Sequence, residues 1–346
     1  MTTFLTLVVS EVLSERPGLQ RVRLDDGSRA NNLTQLTGMV NVGDAVVVNT
    51  TAVDLGLGTG GWHVVHWNLV NRQLDVPGPG HIMKMRYTSL QTNTGTAEEF
   101  YPNVPTSLDG VPVVVCSLHS QMGVVAAAFA GAAPGRRLVY VMTDGAALPL
   151  AISDLVHDLR AEGLLCATVT AGHAFGGDLE AVTVPSALGI ARHVLNADAI
   201  VVAMGPGGVG TGSALGTTAL EAGPILDAVD AMDGVAVLCV RASNADARPR
   251  HIGISHHTHT AVARFSNCSF LLAAPIQDQA ITGLINLQQE SFAELVAVEV
   301  PDVAALLALH RLTITTMGRG PQQDPLFFRF AASAGIVAAH KVRPIG

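Results

Sequence analysis

The chain has 346 residues with 49% hydrophobic and only 14% charged positions, and its net charge is −8. That length is too great for one simple core and predicts two domains, while the apolar content excludes disorder. No basic cluster resembles a phosphate-backbone track, which argues against a nucleic-acid duplex as partner. No run approaches the roughly 18 unbroken apolar residues of a membrane helix, so no membrane is expected.

Residues 1–10 lack a basic region and a small-residue cleavage site, so they are expected to form a strand, not a signal peptide. Cys116, Cys166, Cys239 and Cys268 sit in or beside apolar runs without a CxxC pair. Buried thiols in a reducing, cytoplasmic compartment are the expectation. So little polar residue covers a monomer poorly, and a homo-oligomer, a dimer, is expected.

Residues 1–105 read as a small β-module of barrel or sandwich type. Residues 5–12 alternate loosely, residues 20–24 run into the turn Asp25-Asp26-Gly27, and residues 45–48 and 62–69 supply further strands. The polar stretch 91–105 reads as a linker or exposed loop.

Residues 106–346 read as a Rossmann-like α/β domain with an open parallel sheet and C-terminal helices. Apolar runs at 111–116, 138–142, 164–169, 199–204, 235–240 and 270–273 are short and β-branched, as in strands buried on both faces. Helical patterns at 121–130, 148–161, 187–195 and 220–232 alternate with them, the signature of βαβ units. Two further helices are expected at 303–312 and 325–340.

Ligands of such sheets bind outside the carboxyl ends of the strands, and polar residues collect there. Ser117-Leu118-His119-Ser120 follows the first strand, with Ser120 read as a helix cap. Asp144 follows the second, His173 and Asp178 the third, and Arg241-Ala242-Ser243-Asn244 the fifth. The fourth opens into a glycine loop that includes Gly205, Gly207, Gly208, Gly210, Thr211, Gly212 and Ser213. Glycines let backbone N–H groups approach an anion, and a following helix N-terminus would add favourable charge. The spacing Gly205-x-Gly207-x-x-Gly210 matches the dinucleotide fingerprint, and Arg241 would meet a ribose phosphate. However, Gly212 and Gly216 fall where a helix should run, and no acid ends the next strand. Anion binding and a purely structural turn are the other readings.

A second cluster runs from Arg248 to Thr260 and holds His251, His256, His257 and His259. On a strand, His257 and His259 share a side and suit a metal. On a helix capped by Ser255, which is the favoured reading, anion or general-base roles compete with solvated imidazoles. The β-module carries His81, Lys84 and Arg86, a compact basic set in which Lys84 and Arg86 share a strand face. Lys84 is one of two lysines in the chain. A second glycine-rich loop, 50–61, precedes it, and two such loops suggest a site where the modules meet. There is no Gly-x-Ser-x-Gly elbow, HExxH or cysteine-based zinc pattern.

Several phrases together, residues 49–61, Gly80-His81-Ile82-Met83-Lys84, 205–212, Ser255-His256-His257-Thr258 and Met317-Gly318-Arg319-Gly320 with Asp324-Pro325, carry a resemblance. The chain resembles an uncharacterised family of bacterial proteins, a conserved domain of unknown function, over nearly its full length. The resemblance implies membership and supplies no activity.

The leading expectation is an enzyme, a hydrolase or transferase, that holds a phosphorylated or nucleotide-like small molecule on the glycine loop. Lys84, Arg86, Arg241 or Arg250 would offset its charge. His256, His257 or His173, with Asp144 or Asp178, would supply acid–base groups or a divalent-metal site. The rivals are a non-catalytic metabolite-sensing module and an NADP-linked oxidoreductase.

Overall fold

In the computed structural model, residues 2–58, 60–278 and 282–343 are described, and the chain divides into two units between Gly95 and Thr96. Thr59, part of the glycine-rich loop at 50–61, lies outside the described residues.

In the first unit, alternating side chains close a barrel. Its strands are β1 (Phe4–Arg16), β2 (Leu19–Leu24), β3 (Arg29–Asn32), β4 (Ala45–Asn49) and β5 (Trp62–Asn68), in the order β1-β2-β3-β5-β4. Val22 and Leu24 of β2, and Val46 and Val48 of β4, point inward with Val9, Ala30 and Val65; their neighbours face out. Short helices α1 (Thr34–Thr37) and α2 (Thr51–Asp54) join the strands, and a small hairpin pairs β6 (Met83–Lys84) with β7 (Thr92–Asn93). The polar stretch 91–105 thus carries β7 and, after it, α3 (Ala97–Phe100).

The second unit is built on eight parallel strands. In chain order they are β8 (Pro112–Cys116), β9 (Leu138–Thr143), β10 (Ala167–Thr170), β11 (Leu179–Glu180), β12 (Ala199–Met204), β13 (Val235–Cys239), β16 (Phe270–Pro275) and β17 (Ala293–Val298); the pair β14 (Ala242–Ser243) and β15 (Gly253–Ile254) stands apart. The sheet order is β11-β10-β9-β12-β8-β13-β16-β17. All residues of β8, β9, β12 and β16 are buried, which is why their sequences lack alternation. Val114 and Cys116 of β8 enter one core, and Val113 and Val115 the other.

Helices α4 (His119–Ala132), α5 (Asp154–Ala161) and α10 (Val303–Leu309) cover one face, while α6 (Val184–His193), α7 (Ala222–Ala231), α8 (His256–Phe265) and α9 (Thr282–Gln289) cover the other; α11 (Pro325–Lys341) reaches both cores. The mixed α/β architecture, a barrel followed by a Rossmann-like parallel sheet, is the one expected from sequence. Among the described residues no helix is long and apolar enough to cross a membrane.

Local details depart from expectation. Ser120 lies inside α4, whose entry is held instead by Gln121: its Oε1 accepts the N–H groups of Ser117 and Leu118 at 3.0 Å each. The helix expected at 148–161 is broken at Ser153, which caps α5 by accepting the Val156 N–H at 3.1 Å. Cys166 is exposed because it precedes β10 and does not lie within it; the other three cysteines are buried.

Two features make the sheet sensitive to substitution. A Cβ on Gly335 of α11 would lie 2.4 Å from the Val125 carbonyl oxygen in α4, and a backbone group cannot turn aside. Gly335→Ala should therefore destabilise by about 1–3 kcal/mol in chemical denaturation, whereas Gly58→Ala, which meets nothing within 4 Å, should stay within about 0.5 kcal/mol. His119 ties the start of α4 to β12 and to the cap of α5: Nδ1 lies 3.1 Å from the Met204 carbonyl oxygen and Nε2 2.7 Å from Ser153 Oγ. The carbonyl can only accept, so Nδ1 carries the proton and Nε2 accepts from the Ser153 hydroxyl. Burial lowers the His119 pKa from 6.5 to about 4, and unfolding returns it to the ordinary value. Below pH 6.5 the unfolded chain takes up a proton that the folded chain refuses, so this contribution to stability is lost as pH falls from 6.5 towards 4. Denaturation midpoints measured at several pH values should decline over that window, and less steeply in His119→Gln.

Candidate metal centre

The sheet order creates the place for a site. The chain leaves β8 through α4 on one face, but leaves both of its neighbours, β12 and β13, through α7 and α8 on the other face. Loops diverging in this way leave a crevice at the carboxyl end of the sheet. The loop after β12 is the glycine loop, and the loop after β13 carries the arginines and histidines.

The second loop is folded by Ser255. Its side chain accepts the His257 N–H and caps α8, while its Oγ lies 2.8 Å from His251 Nδ1. This confirms the helical reading of the histidine run. It also brings His251, on the turn before β15, against His256 and His257 in the first turn of α8. Ring centroids are 5.2 Å apart for His251–His256, 5.1 Å for His251–His257 and 4.0 Å for His256–His257. One nitrogen from each lies within 4.8 Å of the others. Both nitrogens of His257 and Nε2 of His256 are buried without a hydrogen-bond partner.

The cluster is electrically neutral. Burial, with Arg241 and Arg248 next, lowers the His251 pKa to about 3; burial, with His256 and Arg241, lowers that of His257 to about 4. His256 is lowered too, by burial and then by Arg250 and Arg241. Neutral imidazoles with free lone pairs in a buried cluster are metal ligands in their binding state. To share one ion at the usual bond length of about 2.0–2.1 Å, the three nitrogens would have to draw together, since two ligands of one ion stand at most about 4.2 Å apart. With His251 bound through Nε2, its Nδ1–H would donate to Ser255, the usual support of a ligating histidine.

The expected partner of His257 is corrected. His259 Nε2 meets Glu290 Oε2 at 2.9 Å, because residues two apart on a helix face nearly opposite ways. The histidines that stand beside His257 are instead His256 and His251. His251 was visible in the cluster, but only the Ser255 contact shows that it folds back.

The glycine loop borders this cluster. A Cβ on Gly210 would lie 3.0 Å from His257 Cε1, so any side chain there would press on the ring. The Ser213 main chain approaches the same ring without reaching hydrogen-bond geometry. Gly205 is required by the Ala147 carbonyl oxygen, 2.4 Å from where its Cβ would stand. Gly207, Gly208 and Gly212 are exposed. The expected helix does not open on the loop: bends lead to a 3-10 turn, Thr218–Glu221, and only then to α7. Much of the loop is knitted to itself. Thr211 N–H donates to the Gly216 carbonyl at 2.8 Å, Ser213 N–H to Thr211 Oγ1 at 3.2 Å, and Gly216 N–H to Ser213 Oγ at 2.9 Å.

Around Asp246 stand Arg248, Arg319 and Arg241, at 2.8, 3.5 and 3.8 Å. Hydrogen bonds from Arg248 hold the Asp246 carboxyl far below the usual range. Burial, with repulsion from Arg248, lowers the Arg241 guanidinium to about 10. Arg250 has a buried Nε without a hydrogen-bond partner.

The remaining candidates lie elsewhere. Asp144 accepts the His173 N–H at 2.9 Å beyond β9 and β10. Beside it Glu221 accepts the Thr143 hydroxyl at 2.8 Å, and burial raises its pKa to about 7; no sequence motif marked this carboxyl. Asp178 pairs with Arg160 and accepts the Thr168 N–H, a contact that ties β10 to its neighbouring helix. His81, Lys84 and Arg86 belong to the first unit. Lys84 is buried and Arg86 exposed, and positive φ angles at Met85 (51°) and Tyr87 (62°) interrupt the strand, so the two do not share a face.

No curated protein matches the sequence significantly. A family model matches residues 29–335, which includes the glycine loop and every member of the histidine and arginine clusters. On that match the chain belongs to the family described as "Protein of unknown function (DUF3866)".

Proposed function

We propose that the protein is a metal-dependent enzyme of hydrolytic type, which binds a divalent transition-metal ion through His251, His256 and His257 and acts on an anionic small molecule. One observation carries the reading: three neutral imidazoles, two buried and one half-buried, converge and leave nitrogens without partners. Buried polar atoms are almost always hydrogen-bonded, and a bound cation accounts for the exception. Three histidines also leave a coordination position open, the arrangement of catalytic zinc sites. An ion there would bring the pKa of a bound water close to 7 and polarise a substrate oxygen.

The arginines support an anionic ligand at the same place, since Arg241 and Arg250 act on the charge of His256 and His257. A sensing module of glycine and arginine alone would have no use for the histidines. The NADP reading requires a helix opening at the last fingerprint glycine, and none opens there.

Calorimetric titration of the metal-free chain should show one zinc ion bound per chain. His257→Ala and His251→Ala should weaken binding at least about 100-fold and Ser255→Ala by about tenfold, while His259→Ala should leave it unchanged. Equal affinity in wild type and His257→Ala would refute the assignment. Gly210→Val should also reduce zinc affinity, because the added side chain displaces the His257 ring; thermal melts would confirm that the variant remains folded.

A further inference from the structure

We infer that the group recognised at this site is a terminal phosphoryl dianion, the end of a phosphate monoester, gripped by Arg241 and Arg250 beside the histidine cluster. This rests on the metal-dependent hydrolysis proposed above and adds the substrate class.

The argument starts from charge. Four guanidiniums, of Arg241, Arg248, Arg250 and Arg319, are gathered with two carboxylates, of Asp246 and Asp324. Both carboxylates are already well engaged. Arg248 meets Asp246 with two hydrogen bonds, of 2.9 and 2.8 Å. Asp324 takes Arg319 Nε at 3.2 Å, the Ser243 hydroxyl at 2.6 Å and the Asn244 N–H at 3.3 Å. Arg241 is left with a 3.8 Å approach to Asp246, and among the described residues Arg250 makes no ion pair. Two positive charges are therefore unbalanced before any metal binds. A divalent cation at the histidines would add to this excess.

The chemistry selects the ligand. A carboxylate has two oxygens and one charge, and a phosphodiester has one charge and two free oxygens. A terminal phosphoryl group has three free oxygens and up to two charges. Of these three it alone can offer separate oxygens to the metal and to two guanidinium forks while matching both surplus charges. Part of the glycine loop's hydrogen-bonding capacity is spent within it, since the N–H groups of Val209, Thr211, Ser213 and Gly216 donate there. The loop's part is to close over His257 at Gly210.

Hydrolysis then balances with water as the only co-reactant. The water oxygen bonds to phosphorus as the phosphorus–oxygen ester bond breaks. One water proton ends on the departing alcohol oxygen and the other on the released hydrogen phosphate.

The test titrates inorganic phosphate into the zinc-loaded and the zinc-free chain by calorimetry, and compares para-nitrophenyl phosphate with the bis-para-nitrophenyl diester as substrates. Arg250→Gln should weaken phosphate binding at least about tenfold in both forms and leave zinc stoichiometry unchanged. Arg241→Gln should do the same, but it removes a more buried side chain; Arg250→Gln keeps the test open should that variant fail to fold. The monoester should be the faster substrate. Unchanged phosphate affinity in Arg250→Gln, or faster cleavage of the diester, would overturn the inference. Absence of zinc binding in the wild type would overturn the metal reading instead, and the zinc-free phosphate titration would still decide the role of the arginines.

Discussion

One hydroxyl organises the candidate centre. Ser255 accepts the first free N–H of α8 and at the same time meets His251 Nδ1. The helix start and the preceding turn are therefore locked to each other through a single oxygen. That link holds His251, a turn residue, against the first turn of α8. Three rings then face one another, those of His251 and His257 buried and that of His256 half-buried. Burial and the positive end of α8 both disfavour imidazolium, and so the cluster is held as neutral donors.

The surrounding charge follows a different logic from that of the surface. The chain as a whole is acidic, yet the segment after β13 concentrates guanidiniums around two buried carboxylates. Asp246 and Asp324 make this tolerable: each is hydrogen-bonded by arginine and by backbone or hydroxyl groups, so the cluster is a network and not a set of isolated charges. The network fixes Arg248 and Arg319 and leaves Arg241 and Arg250 as the members able to act on something else. Arg248 and Arg319 are thus separable from Arg241 and Arg250 by their partners.

Much of the architecture was readable from residue pattern. Strands buried on both faces appear as unbroken Val/Ala/Ile runs, and the barrel strands appear as alternating ones, because burial geometry dictates those periods. The failures were local. Ser120 has the right chemistry for a cap, but the helix already starts at His119, and the Gln121 side chain instead reaches back to the N–H groups of Ser117 and Leu118. Strands β11 and β17 passed unnoticed, since a two-residue edge strand and a half-exposed strand leave no distinctive period. The glycine loop looked like the start of a helix, yet hydrogen bonds between Thr211, Ser213 and Gly216 fold it on itself.

For the candidate site, composition along the chain determined that histidine, arginine and glycine would gather at the carboxyl end of a parallel sheet, because such residues follow the strands and connections there must be exposed. It also determined the helix at His256, through Ser255 and the apolar positions beyond it. What only the tertiary structure decided was which of these residues meet. A helix turns about 100° per residue, so His259 faces Glu290 while His256 and His257 face a residue from the preceding turn. Sequence separation is blind to that return of the chain, which depends on where β12 and β13 lie beside β8.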